Sequence, residues 1–215
     1  EVWYNDTSNA LKFQYPNTTT SGSWRTGASI NTARLGLGSS GIYTSTLIFG
    51  GSPSAPSTPQ VGNTELWNGS SWTELNDLTE VRQGLGSSRD SSTAALAFGG
   101  IRFPAAPNGA TDFTETWNGT NWTEVNNLNT ARYALGGAGA STGALAFGGE
   151  TPPAPNTALT ELYNGTNWTE VNDLNTGRRG PGGTGVTNTA ALAAGGKATD
   201  LYANTESWNG TNWTE

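Results

Sequence analysis

Apolar residues along this chain fall into short runs that return at a nearly constant distance. Around residue 145, Gly143-Ala144-Leu145-Ala146-Phe147 is a compact apolar run closed by Gly148-Gly149, the signature of a buried strand. Further on, Thr160-Glu161-Leu162-Tyr163 alternates polar and apolar residues as a half-buried strand does. Asn164-Gly165 is a hairpin signal, because both residues tolerate positive φ, and Trp168-Thr169-Glu170-Val171 reads as the returning strand. A glycine- and alanine-rich run over residues 133–141 precedes the set. Four short antiparallel strands joined by tight turns are predicted, which is the content of one propeller blade.

The same pattern occurs four times. Double glycines stand at Gly50-Gly51, Gly99-Gly100, Gly148-Gly149 and Gly195-Gly196, with starts 49, 49 and 47 residues apart. An aromatic–Asn–Gly–x–x–Trp block follows each pair, beginning at Trp67, Trp117, Tyr163 and Trp208 and ending at Trp72, Trp122, Trp168 and Trp213. Arginine lies ten residues past a tryptophan in Trp24/Arg34, Trp72/Arg82, Trp122/Arg132 and Trp168/Arg178. A repeat of this length, rich in short β-type runs, predicts an all-β propeller rather than one mixed core. Repeat boundaries fall at 29–76, 77–126, 127–172 and 173–215. Variation concentrates at residues 52–64, 101–114, 150–160 and 197–205, the segments between each glycine pair and the next Glu–x–aromatic, as expected of loops on a fixed scaffold.

Residues 1–28 break the pattern. Val2-Trp3-Tyr4-Asn5, Ala10-Leu11-Lys12-Phe13-Gln14-Tyr15 and Ser23-Trp24-Arg25 each read as a strand, but their spacing is irregular. The first expectation is a five-bladed ring in which this segment supplies the irregular blade, since uncovered strand edges promote aggregation. The alternative is four closed blades with residues 1–28 projecting as a connector to a fibre. The strand-like opening and the absence of methionine suggest a piece of a longer chain.

Composition narrows the chemistry. Hydrophobic residues make up only 33% and glycine supplies 30 positions, which suits thin strands and tight turns better than helices. The net charge of −7, without a basic patch, argues against nucleic-acid binding. No apolar stretch is long enough for a membrane-spanning helix, so no membrane insertion is expected. Without histidine or cysteine there is no His-based triad, thiol nucleophile or His/Cys metal site. No cofactor and no metal are expected.

The apolar run with Gly-Gly, then Glu–x–aromatic, a turn, Trp, two hydrophobic residues and Arg resembles the kelch repeat over residues 24–215. The turn is shorter than is usual for kelch, and Asn-Gly replaces the usual Asp-Pro type. The resemblance implies a kelch-like β-propeller; the copper oxidases on that fold need a cysteine and a histidine, so their activity is not expected. The particular wording, including Glu1-Val2-Trp3-Tyr4-Asn5-Asp6-Thr7-Ser8-Asn9-Ala10-Leu11-Lys12-Phe13, is similar to kelch-like repeats in tail-fibre and other virion structural proteins of marine and cyanobacterial bacteriophages.

Residues recurring in every repeat are expected to be scaffold. Trp24, Trp72, Trp122, Trp168 and Trp213 are assigned to packing between blades. Arg34, Arg82, Arg132 and Arg178 are assigned to buried or half-buried ties, with carbonyls or with an in-phase glutamate drawn from Glu65, Glu115, Glu161 and Glu206 or from Glu74, Glu124 and Glu170. The glycine pairs read as close backbone approach at strand ends, because strands rather than helix starts follow them. Asn-x-Ser/Thr triplets such as Asn118-Gly119-Thr120 are explained by the hairpin turns without glycans.

Loop positions out of phase carry the functional expectation: Arg102, Phe103, Phe113, Lys197 and Tyr202, with Trp3 a further aromatic outside the repeat. The reading is a non-enzymatic binding and structural module displaying variable loops. The resemblance places it on the virion surface, as part of a tail fibre, appendage or decoration. Its partners would be a host cell-surface receptor or glycan, or other virion proteins, with homo-oligomerisation through a fibre shaft. The runner-up is a cellular kelch-type interaction or lectin-like module, secreted or soluble. A glycan-cleaving enzyme with a carboxylate pair comes third.

Overall fold

The computed structural model describes residues 2–5, 10–13, 26–53, 59–103, 109–153 and 156–215, with residues 2–5 and 10–13 described by their backbone. All regular elements among them are β-strands. Val2–Asn5 (β1) and Ala10–Phe13 (β2) pair antiparallel in a two-stranded sheet of their own. The remaining strands build four four-stranded antiparallel blades in a propeller arrangement. Blade 1 holds Gly38–Ile42 (β3), Ser45–Phe49 (β4), Thr64–Trp67 (β5) and Trp72–Leu75 (β6). Blade 2 holds Gly86–Ser87 (β7), Ala95–Phe98 (β8), Thr114–Trp117 (β9) and Trp122–Val125 (β10). Blade 3 holds Gly136–Ala140 (β11), Gly143–Phe147 (β12), Thr160–Tyr163 (β13) and Trp168–Val171 (β14). Blade 4 holds Gly182–Thr187 (β15), Ala190–Ala194 (β16), Thr205–Trp208 (β17) and Trp213–Thr214 (β18).

The strands form where the pattern predicts because each fits one place in the sheet. The second strand of each blade is an apolar run, and in blade 2 all four of its residues are buried. The third and fourth strands are joined across the Asn-Gly turn, where the Asn118 side-chain oxygen accepts the N–H groups of Thr120 and Asn121 at 2.9 Å, a local bond that fixes the hairpin. Register is the same in each blade: Phe49 faces Thr64, Phe98 faces Thr114, Phe147 faces Thr160 and Ala194 faces Thr205. Thr64, Thr114 and Thr160, at the ends of the segments expected to be loops, are therefore buried strand residues.

Blades adhere through one repeated seam. Trp122 stands edge-on to Phe49 of the preceding blade, ring centroids 4.7 Å apart, and its indole N–H donates to the Thr64 hydroxyl at 2.9 Å. Trp168 repeats this on Phe98 and Thr114, and Trp213 on Phe147 and Thr160. Edge-to-face geometry sets the positive ring edge against the negative face, and the hydroxyl satisfies an indole donor that would be costly to bury alone. At the rim, the Asn76, Asn126 and Asn172 amides donate to Asn121, Asn167 and Asn212 of the following blade. The packing role expected of Trp122, Trp168 and Trp213 is thus seen in contacts. Trp72 is only half-buried and donates to the Ala28 carbonyl instead. Trp24 lies outside the described residues.

Along the axis, backbone groups of neighbouring blades bond directly, and the Ser87 hydroxyl adds a bond to the Ser39 carbonyl at 2.9 Å. Gly84 N–H donates to Gly36 O, Ala134 N–H to Gly84 O and Gly180 N–H to Ala134 O, at 2.6–2.7 Å. The glycine pairs serve this approach: Gly51 N–H donates to Arg82 O at 2.9 Å, and a Cβ on Gly50 would lie 2.8 Å from that same oxygen. No seam of this kind joins blade 4 to blade 1 among the described residues. Leu192 is 42% exposed, whereas Leu47, Leu96 and Leu145 at its position in the other blades are fully buried. Of the three runs in residues 1–28 that read as strands, Val2–Asn5 and Ala10–Phe13 pair as the separate β1–β2 sheet, and the run at residues 23–25 lies outside the described residues.

Trp122→Ala removes the ring that fills the first seam and leaves Thr64 without its donor. Loss of about 3–5 kcal/mol of stability is expected, measured by chemical denaturation. Unaltered stability would remove these tryptophans from the scaffold.

Candidate functional site

The repeated charges are consumed inside the scaffold. Arg34 meets Glu65 at 2.5 Å, Arg82 meets Glu115 at 3.1 Å and Arg132 meets Glu161 at 3.1 Å, with side chains at most 1% exposed; Arg178 and Glu206 pair likewise. Each arginine precedes the inner strand of its blade and each glutamate lies on the third strand of the same blade. The glutamate spends its second oxygen on the entering chain: Glu115 accepts the backbone N–H of Thr79 at 2.8 Å and its hydroxyl at 2.7 Å, and Glu161 accepts Asn129 N–H at 2.7 Å. Of the two glutamate sets considered, the structure selects the third-strand set. Glu74, Glu124 and Glu170 are exposed.

A buried ion pair is held only when its remaining bonding capacity is satisfied. Arg132 meets most of this demand by donating also to the carbonyls of Leu159, Gly148 and Ala146, while its Nε is buried without a partner among the described residues. Burial pushes the Arg82 and Arg132 guanidinium groups below their ordinary value, against the pull of Glu115 and Glu161. At Glu65, burial alone would raise the carboxyl, but the Asn31 N–H and the Arg34 guanidinium together hold it below its ordinary value. These arginines line no open channel as ligand groups.

The remaining chemistry sits where the segments after the glycine pairs emerge, at one end of the propeller. Each begins by pairing with the chain just before the inner strand: Ser52 with Leu35, Ile101 with Gln83, Glu150 with Tyr133 and Lys197 with Arg179. Neighbouring segments touch. The Gln60 side chain accepts the Phe103 N–H at 2.6 Å, and the Asn156 amide donates to the carbonyls of Lys197 and Ala198 at 2.7 and 2.8 Å. Two half-exposed ion pairs decorate this end, Arg102–Glu80 and Arg179–Glu150, both at 2.5 Å. The hydrogen bond to Glu150 raises the Arg179 guanidinium, and burial with the same carboxylate raises the Tyr133 hydroxyl.

The five residues singled out from the sequence do not form one cluster. Arg102 is tied to Glu80, and Phe103 beside it is 42% exposed. Phe113 is half-buried, its carbonyl accepting the Gly99 N–H. Lys197 is exposed and lines a depression of about 410 Å³ with Ala134, Arg179, Gly180, Gly196 and Leu201. Tyr202 turns inward: its ring lies 5.1 Å below the Arg178 guanidinium and its hydroxyl is 3.1 Å from that of Thr176. Leu201, 89% exposed beside Lys197, is a surface residue that sequence reasoning did not single out, since no periodicity marks it. At the opposite end, Tyr43 is likewise 89% exposed on the first hairpin turn.

Among the described residues no group of three or more acidic side chains is placed to hold a metal ion. The fold and the repeated interior define the class as an all-β, four-bladed propeller of antiparallel sheets. Compared with known families and curated proteins, the chain matches no family model and no curated protein.

Because Glu65 is more acidic in the fold than its ordinary value of 4.5, the unfolded chain takes up this proton first as pH falls. The contribution is complete above that ordinary value and is lost as pH drops through the lower folded value. Melting temperature is therefore expected to fall on acidification, and Glu65→Gln to flatten that part of the profile while lowering stability at neutral pH. A variant with an unchanged pH profile would remove Glu65 from the acid-sensitive set.

Proposed function

We propose that this chain is a kelch-like, non-enzymatic binding module of a bacteriophage particle, displayed on a tail fibre, appendage or decoration. It attaches the virion surface to a host receptor or glycan, or to another virion protein. The observation that carries the reading is the division between a repeated interior and a varied rim. Every in-phase arginine is spent on a glutamate of its own blade, while the segments at residues 101–114, 150–160 and 197–205 present Arg102, Phe103, Glu150, Lys197 and Leu201 in no repeated order. A rigid frame carrying unlike loops is how one fold serves many partners. The kelch and virion parts of the proposal rest on the wording of the repeats.

The loop segments also suit binding physically. Their described residues begin on ladder extensions and bond to neighbouring segments, which holds these parts in place before a partner arrives. A cation beside an exposed leucine, Lys197 with Leu201, offers charge and apolar contact together.

Exchanging residues 101–114 for residues 150–160 tests the proposal, with binding of labelled chain to bacterial surfaces and arrayed glycans as the readout. Melting temperature is expected to change little and the binding profile to change. Retained binding with a collapsed fold would overturn the loop assignment, and polysaccharide cleavage by the chain would overturn the non-enzymatic reading.

A further inference from the structure

We propose that the Arg89 guanidinium, where the inner strands of blades 1, 2 and 3 converge, anchors a binding site for a carboxylate-bearing sugar of the uronic-acid class. The proposal deepens the glycan-binding reading above and rests on it.

Arg89 breaks the repeat at a place where the fold has no use for a side chain. Seven residues after the in-phase arginines stand Gly41, Arg89, Gly139 and Gly185. The three glycines have φ of 113°, 86° and 137°. A Cβ on any of them would lie 2.3–2.5 Å from a carbonyl oxygen of the adjacent strand. Blade 2 takes a large residue here, and its inner strand ends at Ser87 after two residues, against five or six in the other blades. Regular strand is given up at this point, and the scaffold gains no ion pair in return.

The surroundings of Arg89 differ from those of the in-phase arginines, each of which meets a glutamate. Among the described residues no carboxylate pairs with Arg89. Its Nε lies 3.5 Å from the Gly137 carbonyl of blade 3, and its Nη1 lies 3.4 Å from the Ser39 hydroxyl of blade 1. Both contacts are neutral and at the long limit for a hydrogen bond. The backbone is better held, since the Arg89 N–H donates to Gly139 O at 2.9 Å. The side chain is half-buried, and burial pushes the guanidinium below its ordinary value with no carboxylate opposing it. An incoming anion would relieve that cost.

Two features select the ligand. The guanidinium fork matches a planar carboxylate with two parallel bonds, and one cation on a chain of net charge −7 suits a monovalent group better than a dianionic phosphate. Asp90, the next residue, also lacks a partner: its Oδ1 is buried with no hydrogen bond among the described residues. Buried acceptors are ordinarily satisfied, and a ring hydroxyl of the same sugar supplies a donor.

Calorimetric titration of the full chain with sodium glucuronate tests the site, with glucose, sodium acetate and inorganic phosphate in parallel. Glucuronate should bind, acetate and phosphate roughly tenfold or more weakly, and glucose not at all. Arg89→Gln should weaken glucuronate binding about tenfold or more with an unchanged or raised melting temperature, which a merely structural tie would lower. Glucuronate binding that survives in folded Arg89→Gln overturns the proposal, as does acetate or phosphate binding as tightly as glucuronate. No glucuronate binding by the unaltered chain overturns it as well. So does binding that appears only in Glu1→Gln/Asp6→Asn, the acidic residues outside the described ones, because Arg89 would then serve an acid of this chain. If Arg89→Gln does not fold, Arg89→Lys, which keeps the charge and loses the fork, must weaken binding, and an unchanged affinity has the same consequence. The titration uses no host surface, so its failure leaves the adhesion reading standing, and failure of host binding leaves the sugar site standing.

Discussion

A four-stranded blade cannot stand alone, because its two faces are both apolar, and the seam that covers them is the constraint on which the remaining structure depends. One tryptophan per junction does most of the covering. Its ring edge meets a phenylalanine, and its indole N–H finds a threonine hydroxyl on the same blade. The phenylalanine and the threonine face each other across a strand pair, so sheet register places both halves of the receptor at once. Stability in such an array is close to a sum over blades and neighbouring interfaces.

The axis follows a different logic. Backbone meets backbone there, and glycines at positive φ allow the approach. Ala134, at φ 51, is the one non-glycine residue in that conformation among the described residues, and it occupies the axial position that glycine holds in the other blades. Each blade also buries one arginine and one glutamate. Such a pair contributes little if its members are merely close, but removing one partner leaves a buried charge without its complement. Here the glutamate also accepts the N–H groups of the chain entering its blade. The pair therefore links the blade's third strand to its own entry segment, and this fixes the angle at which each repeat starts.

Much of the scaffold was legible because repetition averages away local ambiguity. A single apolar run such as Ala95–Phe98 does not by itself distinguish strand from buried helix, but four copies bounded by Gly-Gly and Asn-Gly do. The pairing of arginine with glutamate was also foreseeable from phase, although two glutamate sets satisfied it; burial chose the third-strand set because that strand lies between two others, whereas Glu74, Glu124 and Glu170 sit exposed on the fourth, edge strand. The loop residues were less legible. Tyr202 looked like a free aromatic and instead packs against Arg178, while Leu201, which nothing in the pattern marks, is open to solvent. Neighbouring residues in a loop can point either way, and no periodicity exists there to decide between them.

Alone, then, the amino-acid sequence determined the elements, their order, the hairpin turns and the residues that repeat. These depend on interactions over a few positions, or on a pattern copied through the chain. Tertiary structure decided which glutamate meets which arginine, how far each tryptophan is covered, and which loop side chains face outward. It also decided that Trp67, Trp72 and Leu192 are exposed to a degree their counterparts are not. The physical reason is that identical repeats carry identical local preferences. Whether a face is buried depends on the blade beside it, and among the described residues blades 1 and 4 each have a four-stranded neighbour on one side only.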